Sequence, residues 1–430
     1  MMKRSTFLLA CVLLLVAASA LAQNAPIVPP DSHITAYTLP ADKLAKATTL
    51  YHTRFHLMII DTVWGLAILL LFLFGRWSSS FREMAERVTE RRWMQAFIFV
   101  PLFIVATQIL QLPADIYHHH VSMQYGLSVQ GWGSWFGDLG KGLVIELIIA
   151  SLAVMGAYAL MRRSPQRWWL WFWAISVPFV LFIVFIAPVV LDPIFNHFDP
   201  LEPRQPQLVA EIEKVTQHGG LPIPRSRMFE MRASEKVTTL NAYVTGIGAS
   251  KRVVVWDNTI REMTTPQTLY VFGHEMGHYV MNHMWKGLAF TLVVMLIAYF
   301  CAAKFGQWLI ARFGLRWGVR AIDDYASLPA LILVASLFAF AISPITSGFS
   351  RHLEHEADRY GVEVLHGIVA NPQQVAAQSF QALGENSLTY PRVNRLYIFW
   401  AYDHPAIPDR IQFVLGYDPW SKGEEPKYVK

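Results

Sequence analysis

Apolar residues are gathered into long blocks that polar stretches separate. Six blocks approach the roughly 20 helical residues needed to cross a hydrocarbon core of about 30 Å. Their centres lie near Leu69, Val105, Leu152, Phe182, Val294 and Val334. Such runs with few charges are typical of transmembrane helices. The pattern therefore predicts a mainly α-helical, polytopic membrane protein whose surroundings are the lipid bilayer.

A shorter apolar run opens the sequence. It follows Lys3 and Arg4 and ends at Ala20-Leu21-Ala22, a small-residue pattern typical of a signal-peptide cleavage site. Residues 1–22 are therefore predicted to be a secretory signal. The alternative is an uncleaved anchor that forms the first transmembrane helix. The four prolines between Asn24 and Pro40 then predict an extended lead-in.

Two long polar regions follow the fourth and sixth blocks, and neither contains an apolar run long enough to cross a bilayer. We expect them to form one domain. The predicted organisation is a membrane domain with four transmembrane helices at 23–195, followed by a second domain at 196–430. The second domain includes two further membrane helices, near 286–303 and 329–348.

Composition and charge agree with a membrane location. The 430 residues are 54% hydrophobic and 16% charged, whereas soluble domains contain about 25% charged residues. Lys and Arg cluster at 76–92, 162–167 and 304–320. Because such clusters mark cytoplasmic loops, we expect a multi-pass protein of the cell inner membrane, with the second domain on the periplasmic side. The net charge of +5 is too small and too dispersed to indicate nucleic-acid binding.

The two cysteines, Cys11 and Cys301, both lie within apolar blocks. They provide neither a disulfide framework nor a cysteine-ligated metal site.

The first polar region contains a hairpin pattern followed by a helix start. Two β-branched, aromatic-rich runs in "LNAYVTGIGASKRVVVWDNTI" are separated by Gly-Ile-Gly-Ala-Ser, which predicts a β-hairpin. Thr264 followed by Gln267, with Pro266 between them, then predicts the first turn of a helix.

That predicted helix carries "HEMGH". His274 and His278 are four residues apart, so both imidazoles project from one helix face and can reach a single ion. Glu275 lies about 100° around the helix, where its carboxylate can act on a water beside the ion. Gly273 and Gly277 weaken the helix, which suggests that another element approaches this face closely. The motif predicts a zinc hydrolase.

A third ligand is expected from "SRHLEHEADRYG", which begins where the sixth apolar block ends. Glu354 and Asp358 share a helix face, so that one can ligate the metal while the other accepts a hydrogen bond from the far nitrogen of a ligating histidine. The spacing leaves open which carboxylate does which. His283 is an unfavourable ligand, because nine helical residues from His274 correspond to about 180° of rotation.

These motifs resemble peptidase family M48, the membrane zinc endopeptidases that include the Ste24-type CAAX prenyl proteases and, more distantly, HtpX. The resemblance is carried by "HEMGH", "SRHLEHEAD", the "NAY" hairpin and "DHPAIPDRI", and extends over roughly residues 40–415. It implies a gluzincin-type metalloprotease domain with a small β-sheet. It also implies one zinc ion per chain with Glu354 as third ligand, Asp358 as the supporting carboxylate and Glu356 as a bystander.

The resemblance further implies how a peptide is bound. Asn241 to Gly246 would form an edge strand that pairs with an extended substrate, with Asn241, Ala242 and Tyr243 in contact with it. His404 would help to hold the oxyanion, and Arg410 would lie near the metal and bind substrate.

The expected function is hydrolysis of peptide bonds in membrane-associated or unfolded proteins, with Glu275 as the base. Whether the substrates are prenylated and what the oligomeric state is are left open. The alternative, supported by the six apolar blocks, is a non-catalytic transporter or channel in which HExxH is vestigial.

Overall fold

The computed structural model describes residues 26–246 and 251–429. The predicted signal peptide lies outside the described residues. In chain order the helices are α1 (Ala41–Phe74), α2 (Trp77–Val88), α3 (Arg92–Gln124), α4 (Trp132–Arg163), α5 (Trp168–Val190), α6 (Asp192–Phe195), α7 (Pro206–His218), α8 (Asp257–Glu262), α9 (Thr265–Val280), α10 (His283–Trp317), α11 (Leu328–Leu365), α12 (Pro372–Asn386), α13 (Arg395–Ala401) and α14 (Ile407–Gly416).

Six of these helices are long and apolar enough to cross a membrane: α1, α3, α4, α5, α10 and α11. Each contains the centre of one of the six apolar blocks, so all six predicted spans are confirmed. The helix α11 begins as a membrane span and continues without a break into the polar stretch that carries Glu354 and Asp358. One continuous helix, with Pro344 inside it, therefore connects a membrane-capable segment to the predicted site.

A four-stranded sheet lies between the two membrane parts of the sequence. Its strands are β1 (Phe198–Pro200), β2 (Met228–Met231), β3 (Ala242–Thr245) and β4 (Arg252–Trp256), arranged in the order β1-β2-β4-β3. The strands β3 and β4 are antiparallel, which confirms the predicted hairpin; residues 247–250 between them are outside the described part. The strand β3 forms one edge of this sheet.

The start of α9 follows the predicted pattern. Thr264 Oγ1 accepts from the Gln267 backbone N–H, and Gln267 Oε1 accepts from the Thr264 N–H, so two backbone donors are satisfied reciprocally. One hydrophobic core joins α9 to α7, α12, the sheet and the outer part of α11. A second core joins the membrane helices.

Three glycines allow α9 and α11 to cross closely. A Cβ on Gly273 would lie 2.9 Å from Val364 Cγ1, and one on Gly277 would lie 3.0 Å from the Tyr360 side chain. On the opposite helix, a Cβ on Gly361 would lie 3.2 Å from the backbone nitrogen of His274. The expectation that another element approaches the glycine face is confirmed, and that element is α11.

The lead-in segment, residues 26–40, crosses α12 instead of extending freely. Glutamines of α12 bind its backbone: Gln374 exchanges two hydrogen bonds of 3.0 Å with Ile34, and Gln378 Nε2 donates to the Ser32 carbonyl at 2.6 Å. Gln381 does the same with Thr38. The segment is therefore built into the same core as the C-terminal polar region, just before α1 enters the membrane part.

Candidate metal centre

Three side chains that the sequence predicted as ligands meet where α9 crosses α11. The Nε2 atoms of His274 and His278 are 3.2 Å apart. Glu354 Oε2 lies 3.3 Å from His274 Nε2, and Glu354 Oε1 lies 3.3 Å from His278 Nε2. Among the described residues, these three form the group of His, Cys, Asp and Glu side chains able to hold a metal ion.

The spacing of these donors suits zinc. Tetrahedral zinc with bonds of about 2.0–2.1 Å holds neighbouring donor atoms about 3.3–3.4 Å apart. This is close to the separation of the two Nε2 atoms and to the distance from each of them to its nearer Glu354 oxygen. The buried Oε2 of Glu354 accepts no hydrogen bond within the described part of the chain, so an electron pair is left for a cation. Two imidazoles, one carboxylate and an open fourth position are also the donor set of a catalytic zinc site.

The charge around His274 favours a cation. Burial alone would lower the pKa of this imidazole, but the neighbouring carboxylates of Asp358 and Glu354 raise it to about 10. The cavity thus stabilises positive charge at the imidazole, and a metal ion satisfies the same carboxylates without a proton.

Asp358 and Arg410 support His274 from behind. His274 Nδ1 lies 2.9 Å from Asp358 Oδ1, which leaves Nε2 facing the other two donors. Arg410 donates to both oxygens of Asp358, from Nη2 at 2.5 Å and from Nε at 3.0 Å. Burial lowers the pKa of Arg410, but the Asp358 carboxylate raises it further, so the guanidinium stays charged.

The contacts of Arg410 bear on its predicted role in substrate binding. It was expected to bind substrate, but its side chain is only 8% exposed, is occupied by Asp358 and lies against the Phe380 ring at 4.2 Å. It therefore anchors the Asp358 carboxylate that contacts His274, and its role in substrate binding stays a prediction.

Glu275 and His404 are the titratable groups at the open side. Burial raises the pKa of Glu275, while the nearby imidazoles lower it in part. His404 Nε2 lies 3.4 Å from Glu354 Oε1, and its Nδ1 lies 2.8 Å from Asp403 Oδ1. That hydrogen bond to Asp403 raises the pKa of His404, which favours an imidazole able to donate toward the site.

The segment that carries His404 is held by a residue that the sequence did not single out. Arg351, one turn before Glu354 on α11, donates from Nη1 to the carbonyls of Ile398 at 3.0 Å and Tyr402 at 2.5 Å. The Ile398 carbonyl also accepts from the Tyr402 backbone N–H at 3.2 Å, so Arg351 adds to the hydrogen bonds that end α13. Arg351 thereby fixes the turn that leads to His404.

His283 is not where helical periodicity predicted it. The helix α9 ends at Val280, and Asn282 adopts a left-handed conformation with φ 58°. The chain turns back, so that His283 Nδ1 lies 3.0 Å from His278 Nδ1. Its other nitrogen lies 3.2 Å from Glu356 Oε2. The sequence signal that could have shown this contact between His283 and Glu356 is Asn282, a residue type favoured at left-handed helix ends.

The predicted substrate strand is present in slightly shorter form. Ala242 and Tyr243 belong to β3, and Asn241 precedes it, bound through its backbone N–H to Thr259 Oγ1 at 2.8 Å. Because β3 is an edge strand of the sheet, one side of its backbone has no strand partner among the described residues. Its role in substrate binding stays a prediction.

Comparison with known proteins gives two family matches. Residues 202–418 match peptidase family M48. Residues 18–197 match a region described as the CAAX prenyl protease N-terminal part with five membrane helices. Four membrane-capable helices lie in the described part of that region. The match begins inside residues 1–22, so nothing in it supports the predicted signal peptide.

Individual relatives agree with these matches. The chain is 35% identical over 335 residues to the uncharacterized metalloprotease YhfN of Bacillus subtilis, covering 78% of this chain and 76% of that protein. It is 26% identical over 349 residues to a CAAX prenyl protease 1 homolog of Dictyostelium discoideum, covering 76% and 75% of the two chains. The crystal structure of S. mikatae Ste24p has the same fold, with a TM-score of 0.77 at 20% identity over 91% of this chain and 92% of that one.

Proposed function

The chain belongs to peptidase family M48 and is a membrane metalloendopeptidase, and we propose that its metal is one zinc ion held by His274, His278 and Glu354. The observation that carries this proposal is the convergence of the three side chains. The two Nε2 atoms lie 3.2 Å apart and each lies 3.3 Å from one oxygen of the Glu354 carboxylate, with one donor atom from each residue within 4.8 Å of the others, as a zinc site requires. Asp358 would fix the tautomer of His274, and Arg410 would hold Asp358 in place.

When bound, zinc supplies Lewis acidity that makes a water and a peptide carbonyl more reactive. The chain supplies the proton transfers. Glu275 takes a proton from the attacking water and delivers it to the leaving amine as the C–N bond breaks. His404, with Asp403 on its Nδ1, donates from Nε2 toward the negative charge that develops on the carbonyl oxygen. In this scheme Glu275 moves protons, whereas His404 stabilises charge.

We infer that the substrate is an extended peptide from a membrane-associated or unfolded protein. An edge strand such as β3 binds peptide backbone through main-chain hydrogen bonds, which tolerates varied side chains. The two histidines precede the span α10 and Glu354 lies within the helix α11, which is itself long and apolar enough to cross a membrane, so the site lies close to the bilayer. Several relatives are named CAAX prenyl protease homologs, so a farnesylated peptide and its unmodified counterpart are both appropriate probes.

We also propose that the site faces the periplasm across a cell inner membrane. Support comes from the six membrane-capable helices and the three basic clusters. If those clusters are cytoplasmic, the lead-in segment, the sheet, α9 and the Glu354 end of α11 would share the opposite side. The packing of the lead-in segment on α12 supports that shared side. A reporter enzyme that is active only in the cytoplasm, fused after Lys430, tests this assignment. An active fusion contradicts it.

The proposed function is tested with purified protein in detergent. Glu275→Gln should keep about one zinc per chain, because Glu275 is not among the three donors, and should lose about 10²–10⁴-fold in peptide cleavage. The control is Glu202→Gln, an exposed glutamate paired with Arg225, which should cleave normally. Undiminished cleavage by Glu275→Gln refutes the catalytic assignment. No comparison favours the transporter alternative. That alternative predicts that the function of the protein depends neither on bound zinc nor on peptide cleavage.

A further inference from the structure

The second predicted ligand, His278, has a supporting group of its own that lies on a different element from Asp358. His283 begins α10, immediately after the turn at Asn282, and places Nδ1 3.0 Å from His278 Nδ1. It is 4% exposed, and its Nε2 lies 3.2 Å from Glu356 Oε2. Imidazole, imidazole and carboxylate therefore follow one another outward from the metal centre.

Metal binding at His278 would determine which ring nitrogen carries the proton in His278 and in His283. Zinc held at Nε2 of His278 leaves the single ring proton of a neutral imidazole on Nδ1. That N–H can donate to His283 only if His283 Nδ1 carries a lone pair, so the His283 proton must lie on Nε2. This Nε2–H faces the Glu356 carboxylate, which accepts it. A single tautomer assignment satisfies both hydrogen bonds.

Glu356 is connected in turn to a distant segment. Its second oxygen, Oε1, accepts from the Tyr428 hydroxyl at 2.9 Å. Tyr428 is held by Glu363, whose carboxylate accepts the backbone N–H groups of Lys427, Tyr428 and Val429 at 2.6–2.9 Å. The segment 427–429 is thus fastened to α11 at two carboxylates, and one of them leads to the metal centre.

We propose that His283, Glu356 and Tyr428 are positioning residues that hold His278 in its metal-binding tautomer and link segment 427–429 to metal affinity. This inference rests on the proposed zinc site and adds residues to it. His274 is supported by Asp358 and Arg410, and His278 by this relay of His283, Glu356 and Tyr428. Each imidazole ligand then has a carboxylate behind it, as zinc-ligating histidines commonly do.

The test is zinc affinity, measured by competition with a chromophoric chelator in the purified full-length protein. His283→Phe keeps a ring of similar size but removes the acceptor for His278 Nδ1–H. Loss of such outer partners weakens metal binding by about 10–100-fold. His283→Gln should recover most of the affinity, because an amide can accept from His278 and donate to Glu356. The visible absorption of the cobalt-substituted protein should shift in His283→Phe and return in His283→Gln.

A matched control separates this role from packing. His355 also lies on α11, and its ring packs on Phe413 at a centroid distance of 4.9 Å without joining the relay. His355→Phe should change thermal stability at most, with zinc affinity and cobalt spectrum unaltered. If His283→Phe binds zinc within about twofold of wild type, or if His283→Gln binds as weakly as His283→Phe, the relay is refuted.

The distal end of the relay is tested by a double-mutant cycle. Tyr428→Phe should weaken zinc binding less than Glu356→Leu does. In the Glu356→Leu background it should have no further effect, because the tyrosine acts only through Glu356. Additive losses refute the link. Should wild-type protein bind no zinc, the proposed function itself fails, whereas unaffected variants of a zinc-binding wild type refute only the relay.

Discussion

The crossing of α9 and α11 makes Gly361→Ala an informative perturbation. The added Cβ would lie 3.2 Å from the backbone nitrogen of His274, 3.4 Å from its Cα and 3.0 Å from Tyr270 Cε2. Backbone atoms of α9 cannot swing aside as the end of a flexible side chain can. The two helices must therefore separate by a few tenths of an ångström, and this separation moves Glu354 away from both imidazoles.

The effect of Gly361→Ala depends on two opposing free-energy contributions, the cost of overpacking and the higher helix propensity of alanine. Overpacking of this kind costs about 1–3 kcal/mol, more than the roughly 1 kcal/mol that alanine gains over glycine within a helix. The apo protein can relax by letting the helices part. The zinc-bound protein cannot, because its bonds require about 2.0–2.1 Å. If the strain falls on the bound state, zinc affinity should drop by about 5–150-fold.

Chelator competition measures the loss of zinc affinity, and thermal unfolding measures the loss of stability of the folded protein. Gly348→Ala is the matched control on the same helix, since its Cβ would meet only the flexible end of Arg351, at 3.6 Å. It should bind zinc as wild type does. A Gly361→Ala protein with wild-type zinc affinity and an unchanged unfolding temperature would refute the reasoning that glycine sets the spacing of the site.

Three further predictions follow from the same contacts. Chelation of the metal should abolish peptide cleavage, and stoichiometric zinc should restore it in wild type but not in Glu354→Ala, as activity and metal analysis will show. Arg410→Leu leaves the Asp358 carboxylate buried without its cation, so unfolding should become easier by about 3–5 kcal/mol; a substrate-binding arginine would instead raise KM in a protein of normal stability. Gln378→Leu removes one of the three amides that bind the lead-in segment and should cost about 1–3 kcal/mol. The loss should be measured as faster limited proteolysis of that segment, whereas substitution of an exposed glutamine, Gln207→Leu, should change nothing.

The parts of the fold with local signals could be predicted from the sequence. Apolar length alone located each of the six membrane-capable helices among the described residues. The Thr264–Gln267 pair located the start of α9. The spacing of His274 and His278 needed only the period of one helix. Glu354 needed more, because no period connects two distant helices, and the family resemblance supplied the choice between it and Asp358.

The errors occurred where that regularity stopped. Continuing the helical rotation past Val280 placed His283 on the wrong side, since a single left-handed residue, Asn282, reverses the chain. Because the sequence predicted His283 on the wrong side of the helix, it left Glu356 without a predicted partner. For Arg410, the sequence context indicated proximity to the site but could not show that Nε and Nη2 both donate to Asp358.

The contact between the lead-in segment and α12 has a consequence for biosynthesis. Ile34 and Gln374 are 340 residues apart, so at about 5–20 residues per second a ribosome needs roughly 20–70 s to make the second after the first. Throughout that interval the backbone of Ile34 lacks its Gln374 partner while successive spans are inserted. The hydrophobic core that contains α9, α12 and the lead-in segment can therefore pack only near the end of translation. Peptide cleavage is delayed until all the membrane spans have been made.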